Sequence, residues 1–396
     1  MKWPVLALAV VLAAAPVRAQ STPDSKDFDR LLARGMELHQ AGDLLGAIDA
    51  YKAALAVAPD RADALSNLGA AYAKLGQFDD AVKEYDAALK VDPSNTQIRM
   101  NLALAYYKSA RPNDAIPQLK RVLSSDPDAK AAYLVLADCY LQTGQNQDVI
   151  SLLQSRESML GGDLAYAFIL GTALLQNGDV DKGEPYVAKV FEAGDSAESH
   201  LLMGMAQLTK QDYVAARQEL ESAVRLNPRL PTVHSLYGRA LLALGEQQSA
   251  EREFQRELTT NINDFEANLQ LGNLRKGVQK YDEASAFLER AVSIRPKDLT
   301  ARKLLASLRL QMGNAEEAVK MFEAIEKEAP DLVDVHVELA TAYNRLKRKE
   351  DADREKAIVD RLNAEAAAKQ KGKGGEDSSF QLPVSSSDSK LKAECS

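Results

Sequence analysis

Apolar and small residues recur along this chain at spacings of three and four, and glycine and proline interrupt them at regular intervals. Around "LGAAYAKLGQFDDAVKEYDAALKVDP" (residues 68–93), Leu65, Leu68, Tyr72 and Leu75 form one stripe, the pattern of an amphipathic helix. Gly76 interrupts it, and Gly42, Gly144, Gly178, Gly245 and Gly313 stand at the equivalent place elsewhere. Asp79 and Asp80 follow, where carboxylates favour a helix start. Ala81, Tyr85, Ala88 and Leu89 form a second stripe, which Pro93 ends. The segment therefore predicts a hairpin of two helices. Gly69 and Ala81 lack bulk and let the helices approach, while Tyr72 and Tyr85 fill the space above and below.

The same segment returns with a period of 34. One column of small residues runs from Ala47 through Ala81 and Ala115, passes Val149 and Gly183, and continues from Ala216 to Ala352. The only step that is not 34 is Gly183 to Ala216, which is 33. A second column runs from Gly35 and Gly69 to Ala340, and Pro59, Pro93, Pro127, Pro228, Pro296 and Pro330 mark repeat ends. Ten repeats follow, of which repeats four and five depart furthest from the pattern. Pro117 and Pro185 fall near the start of second helices, where a missing N–H is expected to cost little. A lone hairpin cannot bury its stripe, so the repeats are expected to stack into one array.

Leu68, Gly69, Tyr72, Ala81, Tyr85, Ala88 and Pro93 together resemble the motif of the tetratricopeptide repeat family, over roughly Phe28 to Ala367. The resemblance implies an all-α fold, a right-handed superhelical solenoid of stacked antiparallel helix pairs. It also implies that first helices line a concave face which holds peptides or helices of other proteins.

Both ends of the chain differ from the repeats. "MKWPVLALAVVLAAAPVRAQ" has a basic start at Lys2, an apolar run from Val5 to Ala15 and small residues at Val17 and Ala19. That run is too short to span a bilayer and predicts a cleavable bacterial-type secretory signal over residues 1–19, with an uncleaved anchor as the alternative. A linker is expected over 20–27, the solenoid over 28–349, a charged capping helix over 350–371 and a disordered polar tail over 372–396. The expected location is the periplasm or the exterior, with no stable membrane span after cleavage.

Only 6% of the residues are aromatic against 46% hydrophobic, which favours close helix packing over a large aromatic core. A net charge of −8 with interspersed signs offers no footprint for nucleic acid. Cys139 reads as a buried, inert residue, and Cys395 lies in the polar tail.

Candidate chemistry is sparse. His200, His234 and His336 share the fourth position of their first helices, a place that packs between helices. Packed helices stand ~10 Å apart, whereas metal ligands lie within about 2.1 Å of the ion, so the three are not expected to share a metal. His39 reads as solvated. No Ser/His/Asp set, CxxC or phosphate-binding loop is present, and the paired acids recur with the repeat. The expectation is a protein that is not an enzyme and takes no metal or cofactor.

The concave positions carry the remaining information. Asn67 and Asn101 stand at matching places, like rungs of an amide ladder for a peptide backbone. Further along, the same places turn apolar: Leu134, Val135 and Leu141, then Phe168, Ile169 and Leu175. Leu201, Leu202, Met205 and Leu208 follow in repeat six, and Leu236 and Leu242 in repeat seven. Such a stripe exceeds what a monomer leaves in water, and predicts a groove for a helix or apolar peptide. Packing within the stack and self-association are the other ways to hide it. Two functions remain open: a scaffold for proteins of the cell envelope, or a carrier or chaperone for an apolar ligand, glycan or nascent outer-membrane chain.

Overall fold

The computed structural model describes residues 23–373, with side chains over 26–368. The expected signal segment, and the tail from residue 374 on, lie outside the described residues. Among these residues every regular element is a helix. They fall into two compact bodies, one up to Lys297 and one from Asp298.

The N-terminal body holds eight hairpins. The first four pair α1 (Pro23–Ala41) with α2 (Leu44–Val57), α3 (Ala62–Lys74) with α4 (Phe78–Val91), α5 (Thr96–Lys108) with α6 (Pro112–Ser125), and α7 (Lys130–Gln142) with α8 (Asn146–Gln154), to which α9 (Glu157–Leu160) is appended. The next four pair α10 (Leu164–Gln176) with α11 (Val180–Glu192), α12 (Ala197–Thr209) with α13 (Tyr213–Leu226), α14 (Val233–Ala243) with α15 (Gln247–Thr260), and α16 (Phe265–Gly277) with α17 (Tyr281–Ile294). The C-terminal body pairs α18 (Leu299–Gln311) with α19 (Ala315–Glu328), and α20 (Val333–Arg345) with α21 (Lys349–Lys373).

The small column is where an aromatic or leucine side chain crosses from the second helix. A Cβ on Gly35 would stand 2.5 Å from the Tyr51 ring, and one on Gly69 2.9 Å from the Tyr85 ring. Both rings are buried, and burying a side chain of that size is worth about 2 kcal/mol. Each hairpin then turns through a left-handed residue. Gly76 has φ 78°, and the equivalent place in repeats three, six, eight and ten is held by Ala110, Gln211, Gln279 and Lys347, also with positive φ.

Local details depart from expectation in four places. The first helix begins at Pro23, within the expected linker, because proline suits a first helical turn. Pro117 and Pro185 are the sixth residues of α6 and α11, beyond the turn whose N–H groups are free anyway, so each leaves one helix carbonyl without its usual donor. The second helix of repeat four breaks after Gln154, where the Ser155 hydroxyl turns back onto the Leu152 carbonyl. His39 is buried against Tyr51 rather than solvated, and burial, with the nearby Lys74 charge, lowers its pKa.

Cys139 is a fully buried free thiol whose pKa burial pushes up. No described helix is long and apolar enough to cross a membrane.

Candidate functional site

First helices of neighbouring repeats pack on one another, α7 with α10, α10 with α12 and α12 with α14. Their inner sides, with the ends of α5 and α16, surround a chamber of about 1090 Å³. The helices present similar register positions to it. Taking the small residue of the first helix as origin, the lining falls mainly two and three residues before it, then one and four after it.

The N-terminal body closes on itself around this chamber. Arg295, just past α17, donates Nε–H to the Gln142 carbonyl at 3.1 Å and an Nη2–H to the Leu141 carbonyl at 3.3 Å. A cation there meets the negative end of α7. Its guanidinium lies 4.1 Å from the Phe265 ring centre, and its chain passes over Gly144, where a Cβ would come within 3.0 Å. Asn263 donates to the Ala110 carbonyl at 2.8 Å, and Asn113 to the Ile294 carbonyl at 3.1 Å. These bonds join residues 153 to 181 positions apart, tying repeats three and four to repeat eight.

The apolar stripe divides between wall and core. Leu134, Val135, Phe168, Ile169, Leu201, Met205 and Leu236 line the chamber, as do Leu141 and Leu175. Leu202, at 0% exposed, does not reach the chamber and lies wholly in the core between hairpins, which Leu201, Met205 and Leu236 also help to fill. Leu208 is buried in the same core, and Leu242 packs half-buried near Phe254. The stripe is therefore not a bare groove. Successive first helices cover one another's flanks, and only the chamber side stays open.

Asn67 and Asn101 do not reach the chamber. Both are buried; Asn101 accepts a bond from Gln97 at 3.2 Å, and Asn67 Nδ2 has no protein partner. The residues that pattern reading misses stand one place after the small column: Asp138, Thr172 and Arg239, beside Met205. Polar residues inside otherwise apolar runs were the available signal.

The chamber's acids are held by neighbours. Asp138 Oδ2 accepts from the Tyr107 hydroxyl at 2.7 Å and from Gln142 Nε2 at 2.8 Å. Burial raises the Asp138 pKa, partly offset by those bonds, and the Asp138 charge together with burial drives the Tyr107 hydroxyl well up. Near α14, Glu257 accepts the N–H groups of Thr232 and His234 at 3.0 and 3.1 Å, and Ser235 donates to Asp264 at 2.6 Å. Thr232 is left-handed, with φ 66°, which delays the helix after Pro231. Burial and the charge of Asp264 push Glu257 up to about 7.

The three histidines form a repeated tie. Each faces a glutamate 19 residues later on the second helix: His200 with Glu219 at 2.6 Å, His234 with Glu253 at 2.7 Å and His336 with Glu355 at 2.7 Å. The other ring nitrogens face Asp195, the Pro228 carbonyl and the Pro330 carbonyl. Glu326, His336 and Glu355 bring ligand atoms within 4.8 Å of one another, a spacing that could hold a metal ion. Both His336 nitrogens already face acceptors, however, so the trio works as a clamp between α20 and α21.

Models of one repeat family match most of this chain. A model described as TPR repeat matches residues 35–76 and 71–109. Two described as tetratricopeptide repeat match 106–167 and 277–334, and 168–231 and 201–264. A curated relative, "Anaphase-promoting complex subunit 3" of Schizosaccharomyces pombe, is 23% identical over 151 residues, 38% of this chain. The chain spans 23% of that relative's length. Among solved structures, "Crystal structure of APC/C hetero-tetramer Cut9-Hcn1" is similar with a TM-score of 0.54 and 16% identity. The likeness covers 85% of this chain and 75% of that one, and shows the fold. "Crystal structure of MamA protein" aligns with 22% identity over 48% of this chain and 96% of that chain, with a TM-score of 0.41.

Proposed function

We propose, for a chain that belongs to the tetratricopeptide repeat family, that its N-terminal body holds an apolar peptide or helix of a partner protein within the chamber. The chain acts by binding rather than catalysis, as a scaffold. One observation carries this reading: nine residues of the apolar stripe, from four consecutive repeats, line a single chamber. The curated relative named as a subunit of the anaphase-promoting complex supports the scaffold class. The site of action we propose is the cell envelope, reached through the secretory signal at residues 1–19. Fractionation with N-terminal sequencing of the mature protein tests export separately from binding.

For the chamber, Phe168→Asp, at a half-buried wall position, should leave helicity by circular dichroism unchanged and abolish partner capture. Leu202→Asp is unsuitable, because a carboxylate at that fully buried place would unfold the stack. Capture that survives Phe168→Asp removes the chamber from the function.

The closure by Arg295, Asn263 and Asn113 favours a second reading, a carrier that encloses a small apolar ligand or glycan. Native mass spectrometry of the purified protein separates the two: a co-purifying small mass marks the carrier, and a stoichiometric protein complex marks the scaffold.

A further inference from the structure

Among the rows that the first helices turn to the chamber, one carries charges of both signs; other charges, among them Glu198, Arg229 and Arg295, line the chamber elsewhere. That row is the position directly after the small column, and it reads Asp138 on α7, Thr172 on α10, Met205 on α12 and Arg239 on α14. The rows just before the small column are almost wholly apolar. The charged row thus places an acid at one end of four consecutive repeats and a guanidinium at the other.

Neither charge is used up by the protein. Tyr107 and Gln142 both donate to Asp138 Oδ2, which fixes the carboxylate and leaves Oδ1 without a hydrogen-bond partner among the described residues. Arg239 is half-buried and makes no ion pair or hydrogen bond among those residues. Between them, Thr172 is buried with its hydroxyl unpartnered. A polar group withdrawn from water without a partner costs free energy, and more so when charged. A tie between α5 and α7 explains the Tyr107–Asp138 bond, but it explains neither Arg239 nor Thr172.

We propose that this row reads the charge of the chamber's occupant, a peptide segment whose apolar side chains fill the wall. A basic side chain of that segment meets Asp138, and an acidic side chain meets Arg239. The inference rests on the peptide-binding reading above and adds the chemistry of the peptide.

The test uses the full chain and four labelled leucine–alanine peptides: one with a lysine and a glutamate, one with each charge alone, and one with glutamine at both places. Fluorescence anisotropy should show each correct charge tightening binding about tenfold, the effect of one charge-assisted hydrogen bond. Asp138→Asn keeps an acceptor for Tyr107 and should erase only the lysine preference. Arg239→Gln should erase only the glutamate preference. Equal affinities for all four peptides would overturn the charge-reading row while leaving the chamber as an apolar site. Absence of binding by every peptide, or binding unaffected by Phe168→Asp, would overturn the chamber reading together with the row.

Discussion

At the scale of single residues, the repeat is a set of steric requirements. The small column exists because Tyr51 or Tyr85 lies across the backbone of the facing helix, so a Cβ there would strike the ring. This much was legible in the sequence, since a contact made within one hairpin repeats with the hairpin. The turn column carries a testable consequence. Gln211 holds the left-handed conformation that Gly76 holds elsewhere, and it is exposed. L-residues are disfavoured there by roughly 1–2 kcal/mol, part of which glycine returns as chain entropy in the unfolded state. Gln211→Gly should therefore stabilise the N-terminal body by about 1 kcal/mol, read as an increased denaturant midpoint. His39 shows the limit of residue-level reading. Its place near a turn implied solvent, but Tyr51 of the next helix covers it.

Between elements, the histidine–glutamate ties fix first helices to second helices. Their packing role was legible from the shared register, but the glutamate partner was not, because it comes from the facing helix 19 residues on. His336 makes the tie pH-dependent. Burial alone would lower its pKa, but the bonds to Glu355 and to the Pro330 carbonyl, with the charges of Glu355 and Glu326, outweigh it and raise the value above 6.5. A raised histidine contributes stability that is complete below the unfolded value and is lost as pH rises through the folded one. The difference in denaturant stability between the native chain and His336→Asn should accordingly shrink as pH climbs above 6.5. A difference that grows over that range would contradict the tie.

The whole N-terminal body adds a level that no hairpin contains. Its closure depends on Arg295 meeting the end of α7, and on Asn263 and Asn113 bonding backbone carbonyls across the ring. These are few and polar, so the closure is weak compared with the apolar stack. Arg295→Ala should lengthen the distance between spin labels placed on repeats three and seven, with helicity unchanged. An unaltered distance would mean that stacking alone sets the ring.

The sequence by itself determined the helices and their pairing into hairpins, because each follows from contacts a few residues apart that recur with the period. The tertiary structure decided what the stripe is for. Leu201 and Leu202 are neighbours in sequence with the same chemistry and both are buried in the core, yet only Leu201 also reaches the chamber. That division depends on the angle at which each hairpin packs on the next. Small angles summed over several repeats bring Arg295 to Leu141, a meeting that no single repeat encodes.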